Sequence, residues 1–262
     1  MTGTGTPRRV TAADGTPAFR KELAGAPELF FEREAVGLRA LAAAGARVPE
    51  VLEVADDSIT LQWVEQGDHR TVATEERFGQ ELARLHRTTG ERYGSLDGEP
   101  TAYLGACPLD LTPTGTWAES WIERRVLPLA RRAADAGAID PATAALAERL
   151  TPDHLGPQEP PTLVHGDLWG GNRIIDTRGR DWLIDPSAHH GHREVDLAMM
   201  QLFGGFGGRV YAAYAEAFPL ADGWQDRIPV YQTVPLLVHA LLFGGGYGVQ
   251  AGQALRDAVR AG

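Results

Sequence analysis

The sequence predicts an α+β protein in two unequal parts, a small sheet-plus-helix lobe followed by a larger, mostly helical one. Three observations carry this reading. Short apolar runs bounded by turn residues flank a single helical stretch in the first quarter of the chain. A polar connector, Glu65-Gln66-Gly67-Asp68, follows them, and beyond it apolar residues recur mostly at helical spacing. The pattern places an N-terminal lobe at 1–66 and a C-terminal lobe at 67–262.

Within the first lobe, Asp14-Gly15 is a hairpin turn signal ahead of Ala18-Phe19-Arg20-Lys21, so residues 1–23 predict two short strands. Residues 28–44 set Leu29, Val36, Leu38 and Leu41 among charges and alanines, a helix ended by Gly45 and stopped before Pro49. Residues 51–54 and 59–64 read as a strand pair around the Asp56-Asp57 turn. In the second lobe, helices are predicted over 75–88, 116–136, 141–150, 195–203 and 209–217. Thr162-Leu163-Val164 and Asp181-Trp182-Leu183-Ile184 are short apolar runs between turns, read as buried strands with loops at their ends. Phe-Gly-Gly occurs at 203–205 and again at 243–245 without a fixed period. The second copy lacks the Gly-Lys-Ser/Thr ending of a phosphate loop, so helix capping or close packing is the favoured reading.

Composition narrows the function. A chain of 262 residues with 43% hydrophobic residues can bury a real core. A net charge of -10 leaves no broad basic surface, which disfavours nucleic acid as a partner. The single cysteine, Cys107, excludes an intrachain disulfide and suggests a reducing compartment. No stretch approaches eighteen uninterrupted apolar residues and the N-terminus lacks the apolar core of a signal peptide, so a cytoplasmic protein with no membrane partner is expected.

The chemistry concentrates in His165-Gly166-Asp167-Leu168-Trp169-Gly170-Gly171-Asn172 and in Ile184-Asp185-Pro186 after the next strand. An Asp and an Asn five positions apart on one loop, then an Asp beyond a strand, is the spacing of the catalytic and metal-binding loops of kinase-like enzymes. Phosphoryl transfer needs a carboxylate to orient the attacking hydroxyl and take its proton, the role that fits Asp167. It also needs hard oxygen ligands for Mg²⁺ on the ATP phosphates, which fits Asn172 and Asp185. His-Gly-Asp and Asp-Pro are each common in loops, and it is their combination that carries the assignment. Gly166 stands where protein kinases carry an Arg, and only ten residues separate Asp185 from Asp196, too few for a peptide platform. A small alcohol is therefore the expected acceptor.

The run 165–172, then Ile184 to Ala188, Gly191 to Met199 and Leu202 to Phe206, resembles the fructosamine kinase (ketosamine-3-kinase) family, in the aminoglycoside-phosphotransferase branch of the kinase-like fold. The resemblance extends to Tyr93-Gly94, Trp117, Pro219-Leu220, Gly223-Trp224, Tyr231-Gln232 and Leu242-Phe243-Gly244-Gly245-Gly246-Tyr247, nearly the whole chain. It implies a bilobal protein-kinase-like fold and an ATP-dependent kinase that phosphorylates the 3-hydroxyl of ketoamines, leading to deglycation. Lys21 then matches the lysine that contacts the ATP phosphates and Glu34 its helix partner, while backbone groups near Gln62 and Val64 match the adenine-binding hinge. His165 and Asp196 match residues that brace the catalytic loop. Only Thr2-Gly3-Thr4-Gly5 precedes Pro7, so the family's first strand and glycine-rich loop are expected to be short or missing; Arg20 stands where an apolar residue is usual.

Other residues leave alternatives open. Trp169 suits stacking on the acceptor or packing in the core. His239, in the apolar run 234–243, suits a substrate contact or a satisfied core position. The His189, His190 and His192 cluster lacks a zinc-like spacing with Cys or acidic residues. The rival functions are an aminoglycoside- or choline-type phosphotransferase and an inactive kinase-like binding module.

Overall fold

The computed structural model describes residues 6–67 and 70–261; Asp68, in the expected connector, lies outside them. Strands β1 (Thr6–Thr11), β2 (Pro17–Glu22), β3 (Val51–Ala55) and β4 (Ser58–Gln62) form an antiparallel sheet in the order β1-β2-β4-β3. The first hairpin turns at Asp14-Gly15, where Asp14 accepts from the Thr16 backbone and hydroxyl and Gly15 adopts φ 85°. Helix α1 (Phe30–Ala43) covers one face of the sheet, burying Phe31, Ala35 and Leu38 against Ile59 and Leu61. Alternation sorts the charges on β2: Lys21, opposite Ile59, faces the helix and is 5% exposed. Arg20, opposite Thr60, turns away and bonds Glu22, Glu53, Ser58 and Thr60. An arginine before the lysine thus leaves the lysine's register intact.

Helix α2 (Val72–Leu85) opens the helical part, capped by Thr71, three residues earlier than the apolar pattern alone suggested. The hairpin β5 (Thr101–Leu104) and β6 (Cys107–Asp110) follows. The helix expected over 116–136 is instead a π-helical segment, Glu119–Val126, continuous with α3 (Leu127–Asp135), and the one over 141–150 is α4 (Pro141–Ala145) tightening into a 3-10 turn. Strand β7 (Thr162–Val164) precedes the catalytic loop, β8 (Arg173–Ile175) and β9 (Asp181–Leu183) form the hairpin after it, and β10 (His189–Gly191) returns to pair with β7. Helices α5 (Glu194–Phe203), α6 (Gly208–Ala217), α7 (Ile228–Phe243) and α8 (Tyr247–Ala261) complete the chain. The largest core cluster joins Trp117, Trp121 and Val126 to Met199, Tyr231, Leu237 and Leu255, while Leu168 of the catalytic loop packs in a second cluster with Leu163, Leu183 and Leu197. Among the described residues, no helix is long and apolar enough to cross a membrane.

Candidate active site

The loop that carries Asp167 follows β7 and the one that carries Asp185 follows β9, and the first is tied down by a buried anion. Asp196, on the first turn of α5, accepts the backbone N–H groups of His165 (2.8 Å) and Gly166 (2.9 Å), and bonds His86 Nε2 at 3.1 Å. Burial alone would raise this carboxyl, yet the His86 hydrogen bond and the nearby His165 hold it below the usual carboxylate range. His165 Nε2 donates to the Ile184 carbonyl at 2.9 Å, which leaves Nδ1 to accept from the Asp167 N–H at 3.2 Å. His165 and Asp196 therefore hold both loops at once.

Gly166 explains why this loop has no arginine after its histidine. Its φ is +80°, and a Cβ there would lie 2.1 Å from the Ser187 carbonyl oxygen. A similar close approach joins the loop to the first Phe-Gly-Gly: a Cβ on Gly205 would meet the Gly170 Cα at 2.5 Å, and Gly170 N–H donates to the Gly204 carbonyl at 3.0 Å. The repeated motif does cap and pack, since Gly204 and Gly244 end α5 and α7 with φ of 70° and 62°.

Asp167, Asp185, Lys21 and Glu34 line one cleft, which Ser95, Glu99 and the β5–β6 hairpin also line. Lys21 Nζ lies 2.6 Å from both Glu34 carboxylate oxygens and 2.8 Å from Asp185 Oδ1. Burial pulls this amine down, and the two carboxylates more than offset it, so it remains charged. Asn172 spends its amide N–H groups on Asp167, 2.8 Å to the backbone oxygen and 3.1 Å to Oδ2. That orients the Asp167 carboxylate and leaves the Asn172 side-chain oxygen available. Burial, then the charge of Asp185, push Asp167 up to about 7, against the opposing Asn172 hydrogen bond. Asp185 adopts φ +52°, an uncommon conformation for a non-glycine residue, at the point where the chain turns into the cleft.

These donors fit a hard divalent cation. Asp185 offers a carboxylate and Asn172 an unengaged amide oxygen, and a cation there would offset the Asp185 charge that, after burial, raises Asp167. The histidine cluster is committed elsewhere: His189 bonds Arg125 and the Ser187 carbonyl, and His192 stacks on Tyr231 at 5.4 Å.

Trp169 and His239 lie outside that cleft lining, joined through Phe203, with Phe243 and Tyr247 beside them. Trp169 is 40% exposed and meets the edge of Phe203 at 6.4 Å. Phe203 packs on His239 at 4.7 Å, and His239 on Phe243 and Tyr247 at 5.1 and 5.0 Å. His239 Nδ1 donates to the Pro235 carbonyl at 2.7 Å, leaving Nε2 as an acceptor. The tip of the β5–β6 hairpin touches this side, since a Cβ on Gly105 would lie 3.3 Å from Leu242. Gln62 and Val64, at the end of β4, also stand apart from the Asp167 cleft; Gln62 N–H is engaged with the Glu50 carbonyl at 2.8 Å. His86 was missed by sequence reasoning, its only signal being a histidine at the buried end of an amphipathic helix.

The fructosamine kinase family model matches residues 8–261. A relative from Synechocystis, provisionally assigned as a ketoamine kinase, is 38% identical over 241 residues, covering 88% of this chain and 79% of its own length. A crystal structure from Thermobifida fusca, provisionally assigned as a fructosamine-3-kinase, superposes with a TM-score of 0.88 at 41% identity, covering 99% of this chain and 93% of that one. Amicoumacin kinase, solved with AMP-PNP and Ca²⁺, shares the fold at a TM-score of 0.61 and 14% identity, covering 99% and 87%. The chain belongs to the fructosamine kinase family and is an ATP-dependent phosphotransferase with a bilobal, protein-kinase-like α+β fold.

Proposed function

We propose that this enzyme transfers the γ-phosphoryl group of ATP to the 3-hydroxyl of a ketoamine, and that the phosphorylated adduct then releases the free amine, so that the reaction serves deglycation. The observation that carries the mechanism is the Asp167 carboxyl, oriented by Asn172 and raised to about 7 in the cleft that also holds Lys21 and Asp185. A base with that affinity takes a proton effectively near neutral pH. The sugar hydroxyl gives its proton to Asp167 as its oxygen bonds to phosphorus, and the bond to the ADP oxygen breaks. Lys21, held by Glu34, lies against the nucleotide phosphates, with adenine at the backbone of Gln62 and Val64. Asn172 and Asp185 would hold Mg²⁺, which neutralises phosphate charge. Trp169 and His239 face the acceptor, and the ammonium of a ketoamine suits the aromatic group around them. The lobes divide near residue 66.

The test is ADP formation from Mg-ATP with a panel of ketoamines, the parent free sugars, choline and aminoglycosides. Turnover confined to ketoamines, with the product phosphorylated on the 3-hydroxyl, is expected. Preference for an aminoglycoside or choline would replace the substrate class, and no turnover on any acceptor would make the chain a binding module.

A further inference from the structure

Arg125 is a buried cation that the reaction as described does not use. It is 1% exposed and, among the described residues, forms no ion pair. Its guanidinium stacks on Trp117 and Trp121 at 5.4 and 5.6 Å, Nη2 donates to Ser120 Oγ at 3.2 Å, and Nε has no partner. Ser120 and Arg125 are five residues apart, the hydrogen-bond spacing of the π-helical segment that carries both. An unpaired buried charge with an orphaned N–H is a poor way to stabilise a core, since an apolar side chain of similar volume would serve better. Its remaining contact leads to the active site: Nη1 lies 2.9 Å from His189 Nε2.

That contact has a definite consequence. A guanidinium can only donate, so His189 Nε2 must accept and the ring proton must sit on Nδ1. Nδ1–H then donates to the Ser187 carbonyl at 2.8 Å. The same carbonyl oxygen is the atom that any side chain on Gly166 would strike, and Ser187 follows Asp185 by two residues. His189 also pairs with Val164, the last residue of β7 before the catalytic loop. One residue therefore joins the chain on both sides of the chemistry, His189 by its ring at Ser187 and by strand pairing at Val164.

We propose that Arg125 is a positioning residue for phosphoryl transfer, selecting the His189 tautomer that grips the Ser187 carbonyl and so holds the Asp185 segment against the catalytic loop. The inference rests on the reading of Asp185 as a metal ligand. Without Arg125 the ring can take the other tautomer, whose Nδ1 lone pair would face the Ser187 carbonyl oxygen and push the segment away. The unpartnered Nε is explained, because the guanidinium is aimed by its histidine contact and the aromatic rings leave no acceptor for the third edge.

The test combines Arg125→Met, Arg125→Lys and the double variant Arg125→Met with His189→Asn, in which the Asn amide can donate to Ser187 without a tautomer choice. Arg125→Met is expected to keep its Tm within a few degrees, to lose about 10-fold or more in kcat, and to need several-fold more Mg²⁺ for half-maximal rate, with the acceptor KM nearly unchanged. Arg125→Lys and the double variant should recover most of the loss. Nitrogen-15 NMR of the nucleotide-free enzyme supplies a readout independent of turnover: His189 should carry its proton on Nδ1 in the wild type and in Arg125→Lys, and on either nitrogen in Arg125→Met. A wild-type ring protonated on Nε2, or an Arg125→Met enzyme with normal kcat and Mg²⁺ dependence, overturns the proposal. A loss of rate that only follows a loss of folded protein, with no return in the double variant, does so too. Asp185→Ala measured alongside separates the two ideas, since an unchanged Mg²⁺ dependence there removes the metal-ligand reading itself.

Discussion

Asp167 and Trp169 stand two residues apart on one loop, yet they belong to regions held together by different physics. Around Asp167, side chains from β2, α1 and two distant loops meet through charge-assisted bonds of 2.6 to 3.1 Å, and burial, then the charge of Asp185, raise the Asp167 carboxyl to about 7. Around Trp169, Phe203, His239, Phe243 and Tyr247 meet ring to ring, with Trp169 and Phe243 exposed by 40% and 48%. The charged region is pre-organised because misplaced charges inside a protein are costly; the aromatic one can shift to fit what it meets. Such a division would suit the proposed reaction, with one fixed chemical step and an acceptor that carries a variable amine.

The largest effect should come from the charged side. Asp167→Asn removes the base but retains the shape and the Asn172 contact, so turnover should fall by roughly 10²-fold or more while nucleotide binding stays nearly intact. Calorimetry with an ATP analogue beside steady-state kinetics decides it, and near wild-type turnover would end the comparison at its first term.

A smaller and more selective effect is expected across the boundary. Trp169→Ala should raise the KM for a ketoamine by roughly 5- to 150-fold, the equivalent of about 1 to 3 kcal/mol for a lost aromatic wall, with little change in the KM for ATP. Equal effects on both constants, or loss of folded protein without selectivity, would return Trp169 to simple packing against Phe203.

The two regions also differed in how far the sequence revealed them. Asp167, Asn172 and Asp185 stood out in the sequence because phosphoryl transfer restricts residue type and spacing together, whereas Lys21 and Glu34 came only from the family resemblance, and the structure brings that pair within 2.6 Å. The aromatic group was half legible. Trp169 and His239 stood out, but Phe203, Phe243 and Tyr247 carry no chemical signature, and α7 itself hid behind an almost uniformly apolar run with Pro235 inside it. Helix α8 buries Ala251, Gly252, Ala254, Leu255 and Ala258, a face on which only Leu255 is a large apolar side chain. The β5–β6 hairpin had the alternation, with Ala102, Leu104, Cys107 and Leu109 buried, but Pro108 within a strand obscured it. Arg125 was invisible for a plainer reason: an arginine in a helix with Arg124 and Arg131 around it reads as a solvated face.

The smallest effect tests the electrostatic half of the contrast directly, without substrate. Burial and the Asp185 charge push Asp167 from 3.8 up to about 7. Between those values the folded, nucleotide-free enzyme keeps a proton that the unfolded chain has released, so stability falls as the pH rises through this window and levels off above it. Each unit is worth about 1.4 kcal/mol, which makes about 4 kcal/mol an upper bound that water entering the cleft will reduce. Asparagine at 167 removes the titration but not the shape. The Tm advantage of Asp167→Asn over wild type should therefore be slight near pH 4, grow to several degrees by about pH 7, and stay level up to about pH 9. Trp169→Ala, by contrast, should follow the wild-type pH dependence at a nearly constant offset, because Trp169 packs on Phe203 and not directly on His239, the titrating group of the aromatic region. Thermal melts of the three proteins across this range are sufficient. If the Asp167→Asn advantage does not vary with pH, the Asp167 carboxyl behaves as a solvated one, and the charged region is no more strained than the aromatic surface beside it.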